Sequence, residues 1–437
     1  MSYVDALFDR DSDIIRVVER RDGKRHFHEY QAKYTFYYKD PRGKYKSIYG
    51  DPLSRIVCKN TKDFRKEIAI NRDKELFESD INPIFQCLSD NYLNQDAPKL
   101  NIAFFDIETD FDPDRGFADP ADPFMPITSI SVYLQWMETM VCLAVPPKTL
   151  TMDEAKKELE GIENVMLFEK ESEMIDTFLT LIEDADILSG WNSEGYDIPY
   201  TVNRTSRVLS KDDTRRFCLW GQLPKKREYE KYGKSAVTFD LIGRVHLDSL
   251  ELYRKYTYEE RHTYRLDAIG EIEVGENKVP YEGTLDQLYN NDFRKFIEYN
   301  IQDTALLDKL DKKLRFIDLS NELAHANTVL LQTTMGAVAV TEQAIVNEAW
   351  NRGLQVPNRK RYDDENTQAA GAYVAFPKKG LHKWIGSMDL NSLYPSVIRA
   401  LNMAPETIIG QIRPEISDNR VTEDMGLKKK SFAGSWE

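Results

Sequence analysis

Acidic side chains recur in this chain at spacings that suit a divalent cation. The run "FFDIETD" sets Asp106 and Glu108 two residues apart. An extended strand sends alternate side chains to opposite faces, so these carboxylates share one face while Ile107 turns the other way. Further on, "GWNSEGYDIPY" carries Asn192, Tyr196 and Asp197. Trp191, Ile198, Pro199 and Tyr200 crowd Asp197, and a carboxylate taken out of water needs a hydrogen bond, a counter-charge or a metal. The same Asp-Ile-Pro also suits an ordinary helix start. Asn192 is placed to hydrogen-bond a ligand backbone. In "EYNIQDTALL", Tyr299 and Asp303 are four apart on an expected helix and lie one above the other. A phenol and a carboxylate so stacked can hold one water and one metal. Each motif alone has a bland reading: a solvated strand end, a helix cap, a helix surface. Together they describe one chemistry. Hard cations take oxygen ligands, and two of them stabilise the charge that phosphodiester hydrolysis builds on the attacking and leaving oxygens.

A further carboxylate, Asp389, stands in "SMDLNSLYPSVIRA". This reads as a strand-to-helix corner, with Pro395 at a helix start where a missing N–H is harmless. Asp389 has no obvious partner nearby in the sequence.

The elements that must position these groups follow from pattern. Residues 1–100 mix short β-type runs with polar turns, including an Asp22-Gly23 hairpin signal. "PKLNIAFFDIETD" opens a buried strand, and strands then alternate with helices from 101 to 315, as in an α/β domain. Thr151 and Glu154 form a capping signal. Helical segments run from 316 to 358, and strand-like "GAYVAFPKKGLHKWIGSMDL" follows. With 437 residues, 41% of them hydrophobic, the chain has room for several cores. Cys58, Cys87, Cys142 and Cys218 are scattered, which points to thiols in a reducing compartment rather than zinc or a disulfide framework. No apolar run is long enough to span a membrane, so no membrane partner and a cytoplasmic location are expected. A net charge of −14 argues against a protein coated with nucleic acid. Residues 204–234 nonetheless carry ten Lys/Arg against four Asp/Glu, interleaved with aromatics. That mixture suits a single strand, and Lys225, Lys226 and Arg227 are its candidate DNA contacts, beside Asn192 and Tyr196.

The three acidic motifs resemble those of the four-carboxylate, tyrosine-type 3′→5′ exonucleases. "MDLNSLYPSVIRALNMAPETIIG" resembles the first palm motif of family B DNA polymerases, and the order of segments is similar throughout. Within that family the likeness leans toward the T-even-type bacteriophage branch, through "GWNSEGYDIPYTVNR", "KLRFIDLSNELA" and "APETIIG". The resemblance implies an α/β multidomain fold. Its parts would be a β-rich N-terminal domain (1–100, with 316–358 returning to it), a ribonuclease-H-like exonuclease domain (101–315) and the start of a polymerase palm (359–437). It implies Asp106, Glu108, Asp197 and Asp303 as ligands of two Mg²⁺, with Mn²⁺ a substitute, and Tyr299 as the residue orienting water. Asp389 would bind metal in the polymerase site, with Ser392, Leu393 and Tyr394 around the incoming dNTP. The segment "KKREYEKYGKSAVTFDLIGRVHLD" would form a β-hairpin with its tip at 231–234, helping the primer end move between sites.

The departures bear on activity. No Tyr-x-Asp-Thr-Asp-Ser supplies a second palm aspartate, and no Lys-x-x-x-Asn-x-x-Tyr-Gly helix supplies the fingers lysine. Phosphoryl transfer depends on such charge neutralisation. The expectation is a proofreading exonuclease acting on primer-template and single-stranded 3′ ends. Its polymerase half-site would need a C-terminal fragment with the second aspartate, fingers, thumb and sliding-clamp contact. A stand-alone exonuclease is the alternative.

Overall fold

The computed structural model describes residues 2–112, 114–116, 118–231, 234–359, 374–403 and 407. Asp22 and Gly23 both take positive φ, 50° and 72°, and close a two-residue turn between the strands Ile14–Arg21 and Lys24–Gln31. Left-handed backbone at both turn positions matches the twist of paired strands. With Tyr3–Asp9 these strands make a three-stranded antiparallel sheet. A second sheet has the order Leu354–Gln355, Tyr45–Ser47, Pro52–Cys58, Tyr34–Lys39, Leu76–Phe77. Its first strand comes from far along the chain and pairs in parallel with Tyr45–Ser47. The Tyr3 hydroxyl also reaches late residues, donating toward the carbonyls of Ala324 and Val329 at 2.8 and 2.6 Å.

A six-stranded mixed sheet occupies the middle of the chain, in the order Val165–Leu167, Thr139–Ala144, Ile127–Leu134, Ile102–Thr109, Ile187–Ser189, Val245–His246. Ile102–Thr109 pairs antiparallel with Ile127–Leu134 and parallel with Ile187–Ser189. Its period-two pattern sorts the two faces. Phe105 and Ile107 pack with Phe178 of the helix Glu171–Leu181 and Ile198 of the helix Asp197–Val208. Ile102 and Phe104 pack on Leu306, Leu307 and Leu310 of the helix Phe293–Leu314. Burying each such side chain is worth about 1.5–3 kcal/mol. Asp106 and Glu108 continue the row of Ile102 and Phe104, so the covering helix delivers its own polar residues to them. Gly190 permits one close approach: a Cβ there would lie 2.8 Å from the Phe105 carbonyl oxygen.

Thr151 caps the helix Met152–Glu158 in a reciprocal capping box with Glu154, as its spacing predicts. The strands Lys225–Lys231 and Lys234–Asp240 form an antiparallel hairpin whose last pair is Lys231 with Lys234. The four cysteines are free thiols. Among the described residues no helix is long and apolar enough to cross a membrane.

The chain divides into two compact units, Met1–Arg361 and Tyr362–Glu437. In the second, the helix Leu393–Ala400 follows Ser392, whose φ is 52°. The strand expected across 371–390 is absent from its described part, 374–390, where no regular element forms. Pro377, Gly380 and Gly386 interrupt this stretch. No strand pairs with it among the described residues, so its ladder groups gain nothing from extension.

Candidate active site

The mouth of the six-stranded sheet gathers the acidic motifs. Asp106 and Glu108 stand on one face of Ile102–Thr109, and Asp303 comes down from the long helix. Ligand atoms of these three carboxylates all lie within 4.8 Å of one another. Asp197, the first residue of its helix, reaches the same strand from the side, where its Oδ1 accepts from the Ile107 amide at 3.3 Å. It is not among the three tightest groups. The carboxylate is thus turned onto the neighbouring strand, beyond the simple cap that Asp-Ile-Pro allows.

Tyr299 lies one turn before Asp303, and Lys278 touches both. Its Nζ donates to the Tyr299 hydroxyl at 2.9 Å and to Asp303 Oδ2. Tyr281 packs edge-on against Tyr299, with ring centroids 5.3 Å apart. A cleft of about 970 Å³ opens here, lined by Asp106, Trp191, Asn192, Tyr264, Lys278 and Tyr299 among others.

Charge is unbalanced in this cluster. Burial, then the neighbouring Glu108, Asp197 and Asp303, push Asp106 well above the usual carboxylate range. Burial and Asp303 raise Glu108 to about 8. Burial raises Asp197 to about 7, and burial raises Asp303 as well. Against the pull of burial, Asp303 and Tyr299 hold Lys278 above the ordinary lysine range. Among the described residues, several carboxylates thus share one ammonium, and Asp303 Oδ1 is buried without a hydrogen-bond partner. An orphaned carboxylate oxygen in an all-oxygen, net-negative cluster fits a divalent metal.

The loop before Asp197 is held by a residue that the sequence reading passed over. Asp248 accepts from the amides of Asn192, Glu194 and Leu250 at 3.0, 3.0 and 2.9 Å. It fixes Asn192 in a left-handed conformation, φ 61°, at the cleft wall. Burial raises Asp248 to about 6. Tyr196 precedes the helix, and its hydroxyl lies 3.0 Å from Thr109 Oγ1. Asn300 and Lys278 were also missed. Asn300 sits inside the quoted helix motif and donates to Asp106 Oδ2 at 2.8 Å, whereas Lys278 has no local signal.

The basic stretch is less available than its composition suggests. Arg204 is buried against Glu171, Arg207 pairs with Asp122 and Arg216 with Asp176. Phe217 is in the core. In the hairpin, Arg227 bridges Glu194 at 2.6 Å and Asp240 at 2.8 Å, and Lys226 meets Glu228 at 3.1 Å. Lys225 is exposed. Arg204, Arg207, Arg216 and Arg227 thus tie the segment to the domain. In the second unit, Asp389, Ser392, Leu393 and Tyr394 are all exposed, and Asp389 belongs to no metal-ligating group among the described residues.

Comparison with known proteins follows the same geography. The exonuclease domain of DNA polymerase family B matches residues 54–269, and the family B DNA polymerase model matches 327–432. The DNA-directed DNA polymerase of Escherichia phage RB69 is 28% identical over 393 residues, 85% of this chain and 43% of the phage protein. The DNA-directed DNA polymerase of Enterobacteria phage T4 is similar to the same extent. The DNA polymerase delta catalytic subunit of Drosophila melanogaster is 27% identical over 278 residues, 60% of this chain and 25% of the fly protein. The chain spans less than half the length of these curated relatives.

Proposed function

Because the chain belongs to DNA polymerase family B, we propose that it carries the 3′→5′ proofreading exonuclease of a phage-type replicative DNA polymerase. The observation that carries this reading is the convergence of Asp106, Glu108 and Asp303 within 4.8 Å, around an oxygen left without a partner among the described residues. The six-stranded sheet is read as ribonuclease-H-like and 359–437 as the start of a palm. The return of Leu354–Gln355 to Tyr45–Ser47 supports an N-terminal domain built from 1–100 and 316–358. The phage relatives support a cytoplasmic setting in the host.

Asp106, Glu108, Asp197 and Asp303 would hold two Mg²⁺, which would supply charge stabilisation for the attacking and leaving oxygens of a phosphodiester. The chain's own groups do the rest. Tyr299 presents a hydroxyl beside Asp303 to orient the attacking water. Lys278 keeps that phenol and Asp303 in one arrangement. Asn192 walls the cleft where a single-stranded 3′ end would lie, with Trp191 and Tyr264 as apolar surfaces, and Tyr196, held against Thr109, stays a candidate DNA contact. Lys225, Lys226 and Arg227 stay candidate backbone contacts. At Asp389, with Ser392, Leu393 and Tyr394 near a dNTP, polymerisation would also need a second aspartate and a fingers lysine, from a separate or missing C-terminal part through which a clamp would also act.

Incubating the chain with a 3′-mismatched primer-template and Mg²⁺ tests both halves. Trimming without extension is expected, with extension appearing on addition of a polypeptide carrying the second palm aspartate. Trimming that survives Asp106→Ala would sink the site assignment, and templated synthesis by the chain alone would sink the half-site.

A further inference from the structure

The strand Ile127–Leu134 is apolar except for small hydroxyl residues, and two of these face the acids directly. Ser131 is paired across the sheet with Asp106, and Ser129 with Glu108. Small side chains there let the long helix approach the sheet closely, and the residue that fills the gap is Asn300. It is fully buried. Its Oδ1 accepts from Ser129 Oγ at 3.1 Å, and its backbone carbonyl accepts from Ser131 Oγ at 2.8 Å. With the carbonyl end of the carboxamide committed to Ser129, the NH₂ end faces the acid and donates to Asp106 Oδ2 at 2.8 Å. The opposite flip would set an oxygen lone pair against a carboxylate.

We propose that Asn300 is a positioning residue of the cation site, pinning the plane of the Asp106 carboxylate while leaving it lone pairs for a divalent cation. This rests on reading the cluster as such a site. Three features support the role. The donor is neutral, so it orients Asp106 without adding a positive charge to compete with the cation, unlike Lys278 on Asp303. Its own orientation is fixed by Ser129 and Ser131, so the constraint passes from sheet to helix to ligand. Its place directly after Tyr299 turns it about 100° from the Tyr299–Asp303 face on the helix, so one helical turn presents the phenol and carboxylate to the cleft and the carboxamide to the sheet. Groups that orient a ligand in this way typically change metal affinity by about 10–100-fold when removed.

Calorimetric titration of Mn²⁺ into the metal-free chain tests this without reference to turnover. The wild type should bind, and Asn300→Ala should bind at least about tenfold more weakly with its unfolding midpoint retained. In an Asp106→Asn background, Asn300→Ala should have no further effect, since the carboxylate it orients is gone. Equal Mn²⁺ affinity in wild type and Asn300→Ala, or an undiminished effect in the Asp106→Asn background, would overturn the role and leave the cation site standing. Failure of the wild type to bind would overturn the cation site itself. If Asn300→Ala does not fold, Ser129→Ala decides. It removes only the donor that aligns the carboxamide, so a several-fold loss of affinity supports the role and an unchanged affinity overturns it.

Discussion

Asp186 and Asp303 are both almost fully buried, 1% and 2% exposed, and their surroundings could hardly differ more. Asp186 lies where the three-stranded sheet meets the six-stranded one. Arg20 grips it with bonds of 2.8 and 2.7 Å, Arg25 adds one at 3.3 Å, and the Asn101 amide donates at 2.9 Å. Arg20 also bridges to Asp184 at 3.0 Å. Each charge there is answered. Among the described residues, Asp303 shares a single ammonium, that of Lys278, with several other carboxylates and leaves its Oδ1 unpartnered. The same side chain serves as a fold device where the opposing charge is built in, and as a site where it is withheld.

The difference should separate activity from stability. Replacing Asp106 or Asp303 with Ala should cut exonuclease turnover by at least about a thousandfold, the scale of several kcal/mol of transition-state stabilisation. It should leave the urea midpoint unchanged or raise it, because like charges are being removed. Asp186→Ala should do the reverse. It takes the buried carboxylate from Arg20 and Arg25, leaving Arg20 only the half-exposed Asp184, at a cost of about 3–5 kcal/mol in unfolding free energy, while turnover per folded molecule stays near wild type. A stability loss at Asp303 matching that at Asp186 would erase the distinction.

Among the described residues, Lys278 is the one cation seen to touch the cluster, so it tests how far the imbalance is deliberate. Lys278→Met removes a charge-assisted bond worth about 1.5–3 kcal/mol, and turnover should fall about 10–100-fold. Unchanged turnover would mean that the contacts to Tyr299 and Asp303 are incidental.

The imbalance also has a signature in pH. Glu108 and Asp197 are raised to about 8 and about 7 in the folded chain, so between their ordinary values and these the native state holds more protons than the unfolded one. Stability then falls as pH rises through that interval and is not affected below it. Asp5 and Glu78, also raised to about 7 by burial, share this slope, but among the described residues neither belongs to a metal-ligating group. Urea midpoints in EDTA should therefore drop from pH 5.5 to 8.5, with Mg²⁺ restoring only the cluster's portion. The paired junction around Asp186 predicts no Mg²⁺ effect, so a Mg²⁺-independent slope would place the whole effect outside the cluster.

These contrasts were legible in the sequence to different depths. Strand alternation was enough to put Asp106 and Glu108 on one face, and helical spacing was enough for Tyr299 and Asp303, because both are local periodicities. That a helix covers this very sheet face depends on long-range packing of Ile102 and Phe104 against Leu306 and Leu310, which no local window contains. Asn300 was in plain view but reads as a helix-surface amide until Ser129 and Ser131 are known to lie beneath it. Lys278 arrives from an irregular segment with no period to read. Leu354–Gln355 is too short to signal a strand, and Asp248 looks like any N-cap. In the basic stretch, a count of cations does not show that Glu171, Asp122, Asp176, Glu194 and Asp240 pair with Arg204, Arg207, Arg216 and Arg227.

That last point yields the smallest effect and the finest test of the paired-versus-unpaired distinction. Arg227 and Lys225 are two residues apart on one strand, and both are exposed. Arg227 is held by Glu194 and Asp240, so a phosphate would have to displace two carboxylates to reach it. Exposed pairs of this kind contribute about 0.2–1 kcal/mol each, so Arg227→Ala should barely shift the unfolding midpoint. It should also change the salt dependence of single-stranded DNA binding little, because a cation already neutralised releases few counterions. If Lys225 meets the strand, its loss should lower the log–log salt slope by about 0.7, the single-strand value per phosphate. Fluorescence anisotropy across a salt series measures both. A full phosphate's worth of slope lost with Arg227→Ala would show that its ion pairs yield to DNA, and that pairing in this hairpin is a resting state rather than a commitment.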